Sequence, residues 1–270
     1  MKYTTALVAV ALSTVTLSAQ AAFIQDRGEA NLDEIINGTL IQSGTSVDAL
    51  GDTATNDAIT SGYFFNSQDG RDSAATFLIE ITAGQNNQTF GIFNGEDYVE
   101  LFDTGSSGVF ETDGGFQGAV IDAGIRAKVD FEVSGGLYEV YVNNSFEATF
   151  KSNQFGFYLG QSGDGGVPRY YSDASLNDNQ TERFVAFQGK NQYINLGSKQ
   201  TNGCSSDALS NCLIWGGDDY VVGFEDGSDN DFNDLMVYVE DVTPVPEPGT
   251  LALLGLGLAG LGAARRRQKA

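Results

Sequence analysis

Five carboxylates lie within ten residues in this 270-residue chain: Glu225, Asp226, Asp229, Asp231 and Asp234. Asn230 and Asn233 add side-chain carbonyls to the same stretch. Anionic groups this close repel one another unless something neutralises them. Hard oxygens suit Ca²⁺, which takes roughly 6–8 oxygen ligands in flexible geometry. Asp229 and Asp231 have the i, i+2 spacing with which calcium loops turn alternate side chains inward. Asp234 adds a third direction where the next strand begins, and Glu225 with Asp226 approach from the end of the preceding one. The loop lacks the sixth-position glycine of an EF-hand. The expectation is therefore a calcium-stabilised β-turn. The other reading is a solvated turn whose Asp and Asn side chains accept backbone hydrogen bonds. Paired carboxylates also serve glycoside hydrolysis, but there they face each other across a cleft, whereas these share one short loop.

The remaining chemistry is sparse. The chain has no histidine, which excludes Ser-His-Asp and Cys-His catalysis and His-ligated zinc, copper or haem. Cys204 and Cys212 are the only cysteines and are too few for a Cys₄ zinc site. In an oxidising compartment they are expected to form a disulfide closing a small loop; otherwise they are free thiols. Trp215 and Tyr170-Tyr171 either stack on a sugar ring or pack into the core.

The formal net charge is −22. Lys2, Arg265, Arg266, Arg267 and Lys269 lie in the terminal segments, and removing those five leaves 9 basic residues against 36 acidic, a net of −27. Such a surface repels phosphate backbones, which excludes nucleic acid as a partner, and attracts divalent cations.

The elements that must position these groups read as short strands. Gly is abundant at 34 and Pro scarce at 4, and there are 18 Phe and 11 Tyr, as expected of strands joined by Gly, Asn and Asp turns. Arg126 to Val133 alternates, with Ala127, Val129, Phe131 and Val133 on one face. Leu137 to Val142 follows across Gly135-Gly136, and Phe146 to Phe150 across Asn143-Asn144. Asn94-Gly95 marks another hairpin. Further strands are expected near Thr76–Thr82, Phe155–Leu159, Arg183–Phe187, Gln192–Leu196, Tyr220–Phe224 and Leu235–Val239. No long segment has helical periodicity. The fold class is all-β, an antiparallel β-sandwich of jelly-roll-like type, with residues 63–154 and 155–243 as its two strand-rich parts. Residues 22–62 are polar and weakly patterned, with at most a helical turn over Asn31 to Ile36.

Both ends read as addresses. Lys2, an apolar run from Ala6 to Leu17 and Ala19-Gln20-Ala21 form a signal peptide over residues 1–21, with signal peptidase expected to cut between Ala21 and Ala22. At the other end, residues 244–270 contain Pro246-Glu247-Pro248, an uncharged stretch from Thr250 to Ala264, and Arg265-Arg266-Arg267. An apolar helix stopped by arginines fits a helix held in the inner membrane with its basic end in the cytoplasm. The Gly255-Leu256-Gly257-Leu258-Ala259-Gly260 run is not a nucleotide motif, because no βαβ unit surrounds it.

This tail resembles the PEP-CTERM sorting signal. The resemblance implies processing by an exosortase in a Gram-negative envelope and an association with exopolysaccharide and biofilm. A second resemblance rests on Gly156-Phe157-Tyr158-Leu159, Arg169-Tyr170-Tyr171-Ser172 and Gly223-Phe224-Glu225-Asp226, followed by Asp229-Asn230-Asp231-Phe232-Asn233-Asp234. These are similar to domain of unknown function 4114, which implies a secreted fold and no particular activity. The expectation is an exported, non-enzymatic surface or matrix protein that meets extracellular polysaccharide, with Ca²⁺ as its cofactor. A carbohydrate-binding module and a secreted glycoside hydrolase are the alternatives.

Overall fold

The computed structural model describes residues 32–48, 58–66, 73–80, 88–103, 126–161, 168–197, 201–227 and 231–245. The signal peptide, the Ala21–Ala22 cleavage point, Asp229, and the tail with Pro246, Glu247, Pro248 and Arg265–Arg267 lie outside them. Among the described residues no helix is long and apolar enough to cross a membrane.

The described chain is built on antiparallel sheets. The strands are β1 (Ile41–Ser43), β2 (Ala58–Ile59), β3 (Phe64–Asn66), β4 (Ser73–Glu80), β5 (Gln88–Asn94), β6 (Asp97–Asp103), β7 (Arg126–Ser134), β8 (Leu137–Val142) and β9 (Ser145–Phe150). They continue with β10 (Gln154–Gln161), β11 (Pro168–Tyr171), β12 (Phe184–Gln188), β13 (Gln192–Ile194), β14 (Leu213–Trp215), β15 (Tyr220–Phe224), β16 (Leu235–Glu240) and β17 (Val242–Pro244). One sheet has eight strands in the order β2-β12-β15-β16-β4-β7-β8-β9. A second runs β17-β3-β10-β5-β6, with β11 also paired to β10. A third, smaller sheet runs β1-β13-β14. Residues 63–154 and 155–243 contribute to both larger sheets, because β4 pairs with β16 and β5 with β10.

Turn chemistry fixes the β7-β8-β9 meander. Gly135-Gly136 and Asn143-Asn144 each fill a two-residue loop, and all four have positive φ. Two positive φ values in succession match the right-handed twist of the flanking strands.

The two larger sheets face each other across an aromatic core. Phe157 of β10 lies at its centre, its ring 5.0 Å from Phe64, 5.5 Å from Phe90 and 6.0 Å from Phe184 of the facing sheet. The chain passes from one sheet to the other at Asp241, which has φ +58°, between β16 and β17. There the Asp241 N–H donates to Asp219 Oδ1 at 3.2 Å.

The helical turn expected within Asn31 to Ile36 is present, and the segment also packs into the fold. A short helix, α1 (Leu32–Ile35), continues as one π-helical turn over Ile36–Leu40. Leu32, Ile35, Ile36 and Leu40 pack into a second core on the other face of the eight-stranded sheet, with Val185, Phe187, Val221, Met236, Tyr238 and Trp215. Residues of β12, β15 and β16 therefore alternate between two cores. Phe184, Val222 and Val237 face the first, and Val185, Val221 and Met236 the second. This explains why Tyr220–Phe224 and Leu235–Val239 read as near-continuous apolar runs. The fold has three layers where the sequence suggests two.

Phe157→Ala should lower unfolding stability by about 3–5 kcal/mol, the usual effect of emptying an aromatic core position. The check is the shift in urea midpoint at unchanged slope.

Candidate metal centre

Phe224 and Leu235 are paired residues of β15 and β16, so residues 225–234 form the loop of one hairpin. Glu225 prolongs β15, its N–H donating to the Arg183 carbonyl at 3.1 Å. Its side chain folds back under the loop and is 0% exposed. Oε1 accepts from the Gly227 N–H at 2.7 Å, and Oε2 accepts from the N–H groups of Asp231 at 3.0 Å and Phe232 at 3.3 Å. A buried carboxylate needs such donors. Arg183 Nη1 stands 4.0 Å from Oε1. The same guanidinium lies 5.1 Å from the centroid of the Tyr170 ring and donates to the Gly227 carbonyl.

Phe232 sets the return of the loop. Its φ is +57°, uncommon for an aromatic residue. Its ring is buried in the second core, an anchor that offsets a backbone cost of about 1–2 kcal/mol. Its carbonyl oxygen occupies the space where a side chain at position 223 would begin, 2.4 Å from an ideal Cβ. Gly223 is therefore required for this loop path.

The loop brings one carboxylate oxygen each from Glu225, Asp231 and Asp234 within 4.8 Å of one another. Two oxygens on a single Ca²⁺, each at about 2.3–2.6 Å, are separated by no more than about 5 Å, so the set fits that ion. Asn233 is fully buried beside them. Asp226 is not among the converging groups. Its N–H donates to Asp234 Oδ2 at 2.6 Å, while its own Oδ2 accepts from Gln88 Nε2 at 2.7 Å and its carbonyl accepts from the Tyr170 hydroxyl at 3.0 Å. Gln88 and Tyr170 belong to the facing sheet, so Asp226 ties the hairpin to the opposite layer. Asp229 and Asn230 fall outside the described residues.

Burial pushes the Asp234 carboxyl up to about 10, the neighbouring Asp226 and Glu225 charges adding to it. The hydrogen bond from Asp226 opposes the shift, and Asp231 adds to it. Without a cation, burial and the neighbouring charges thus favour the protonated form of Asp234.

The other residues singled out by sequence take separate places. Cys204 and Cys212 form a disulfide with Cα atoms 4.7 Å apart. Trp215 is fully buried, its indole N–H donating to the Asp219 carbonyl at 3.0 Å, so it offers no stacking face. Tyr170 packs against the first core and Arg183. Gln88 and Arg183 had no signal in local spacing, because strand pairing alone delivers them to the loop.

Comparison with known proteins adds a finding at the C-terminus. Residues 244–267 match the PEP-CTERM protein-sorting motif. No curated protein and no solved structure matches the chain. The motif marks an exported protein, held transiently at a membrane and processed by an exosortase.

The raised Asp234 carboxyl has a signed consequence. In EDTA its contribution favours the folded state fully below the unfolded carboxyl range, near pH 4, and is lost as pH rises toward about 10. Stability in EDTA should therefore fall from pH 5 to pH 9, and Asp234→Asn should flatten that slope. Urea titrations at three pH values provide the check, and an equally steep slope in the variant contradicts the assignment.

Proposed function

We propose that this exported, exosortase-processed chain is a non-enzymatic cell-surface or extracellular-matrix protein of a Gram-negative cell, its jelly-roll-like sandwich stabilised by Ca²⁺. The observation that carries the metal reading is the convergence of Glu225, Asp231 and Asp234 in one largely buried hairpin loop. Once all three ionise, the carboxylates there bring more negative charge than Arg183 offsets, and a divalent cation that displaces the Asp234 proton neutralises it with the oxygen chemistry already in place. Asp226 flanks the site and passes its order to the opposite sheet through Gln88 and Tyr170.

The non-enzymatic reading is supported by the lack of histidine and by the use of Glu225. That carboxylate accepts three backbone N–H groups, an arrangement that supports a loop and suits neither a general acid nor a nucleophile. The resemblance of residues 155–240 to domain of unknown function 4114 agrees with a secreted structural role. Association with exopolysaccharide and biofilm follows from the sorting motif by analogy.

Two experiments test this reading. Chain stripped with EDTA and then given Ca²⁺ at about 100 times the dissociation constant should melt roughly 5–10 °C higher. Asp234→Asn should lose that response, and no shift in the unaltered protein at millimolar Ca²⁺ sinks the metal reading. Deleting Pro246 to Ala270 should release the chain in soluble form, as read by fractionation; unchanged membrane association contradicts the role given to the tail.

A further inference from the structure

The outer face of a sandwich sheet is ordinarily polar. The sheet built on β5, β6 and β10 departs from this. Phe90 and Ile92 of β5, Val99 and Leu101 of β6, and Phe157 and Leu159 of β10 face the first core. The residues between them point away from it. Phe93 and Tyr158 are nonetheless 0% and 1% exposed and belong to neither core.

These two rings lie against the backbone. An ideal Cβ on Gly91 would come within 2.4 Å of the Tyr158 ring, and one on Gly156 within 2.4 Å of the Phe93 ring. Glycine lets both aromatics lie low over the sheet. Tyr98 and Tyr171 pack on them, Tyr98 at 5.9 Å from Tyr158 and Tyr171 at 5.1 Å from Phe93. The Tyr98 and Tyr171 hydroxyls stand 3.5 Å apart. Tyr98 is 41% exposed, and Glu100 is exposed next to it on β6. Burial, then the hydrogen bond with Tyr98, pushes the Tyr171 hydroxyl up to about 12. Burial, then the Glu100 charge, raises that of Tyr158. Both hydroxyls stay neutral donors at any ordinary pH.

We propose that this outer face binds a neutral polysaccharide, with the exposed Tyr98 ring as its stacking surface and the Tyr171 hydroxyl and Glu100 carboxylate as hydrogen-bonding groups. A pyranose ring has an apolar C–H face and a rim of hydroxyls. It matches a rigid aromatic surface bordered by donors and an acceptor. Charge selects the class. Glu96, Asp97, Glu100 and Asp103 line β6 and its turn and outnumber the exposed Arg169 of β11, two residues before Tyr171, which disfavours uronate, sulfate or phosphate chains.

The choice of ligand rests on the matrix reading above, but the binding face and the 225–234 loop are separate. The test is affinity electrophoresis of the exported protein in native gels containing hydroxyethylcellulose, galactomannan or dextran, with alginate as the anionic probe, each run in Ca²⁺ and in EDTA. At least one neutral polymer should retard the protein, and Tyr98→Ala should weaken retardation about tenfold, as loss of an aromatic anchor does. Tyr98→Leu, which keeps an apolar cover over Tyr158 without a flat ring, carries the same expectation and guards against misfolding of the alanine variant. Retardation by no neutral polymer, retardation by alginate alone, or equal retardation of both variants overturns the proposal. So does a change of oligomeric state with Tyr98→Ala in sedimentation, which would make the face a contact between copies. A Ca²⁺-insensitive melting curve with intact glycan retardation overturns the metal reading only.

Discussion

Strands β12, β15 and β16 are buried on both faces, and the rest of the architecture follows from that constraint. Each strand sends alternate side chains into two cores, so both sides of the eight-stranded sheet must be covered. The six-stranded sheet covers one side with phenylalanines. The N-terminal helical turns and the β1-β13-β14 sheet cover the other. Removing either cover would expose a full row of large side chains from strands with few polar positions.

The same constraint shapes the hairpin loop. A loop that leaves two doubly buried strands must carry polar backbone out of an apolar interior, and its unpaired N–H groups need acceptors there. Glu225 supplies them. Its two oxygens collect the N–H groups of Gly227, Asp231 and Phe232, which draws the loop into a tight return. Phe232 then drops its ring into the second core, while Asp226 reaches Gln88 in the facing sheet. The loop is thus where all three layers of the molecule are joined, and the local concentration of carboxylates is part of that junction.

Strands were legible wherever pattern and pairing agree. Leu137–Val142 and Tyr220–Phe224 are observed with the limits their residues suggest, because a paired turn or an apolar run marks each end. The third layer was not legible. Leu32, Ile35, Ile36 and Leu40 have helical spacing, but the segment is one short turn followed by a π turn, too brief for periodicity to stand out from chance. β2, β3 and β17 are two or three residues long and exist only through distant partners. At the candidate site the five acids were visible, but which of them converge was not. Asp226 turns away because of Gln88, 138 positions earlier in the chain, and no local spacing encodes that. The tyrosine face was hidden for a similar reason. Gly91, Gly156, Tyr98 and Tyr158 acquire meaning only when β5, β6 and β10 lie side by side.

The sorting motif and the body of the protein bear on each other through the compartment in which folding is completed. A chain with so few cations against 36 acidic residues is subject to self-repulsion in its compact state. The disulfide between Cys204 and Cys212 belongs to an oxidising space. On the calcium reading, the hairpin loop also depends on an ion bound by extracellular modules at about 10⁻⁴–10⁻³ M. Before export, with the thiols reduced and the loop without its ion, Asp234 must stay protonated or destabilise the fold. After export the disulfide can form and, on the calcium reading, the ion can bind. On the calcium reading, the supports that stabilise the chain are thus available only after the export that the sorting motif marks.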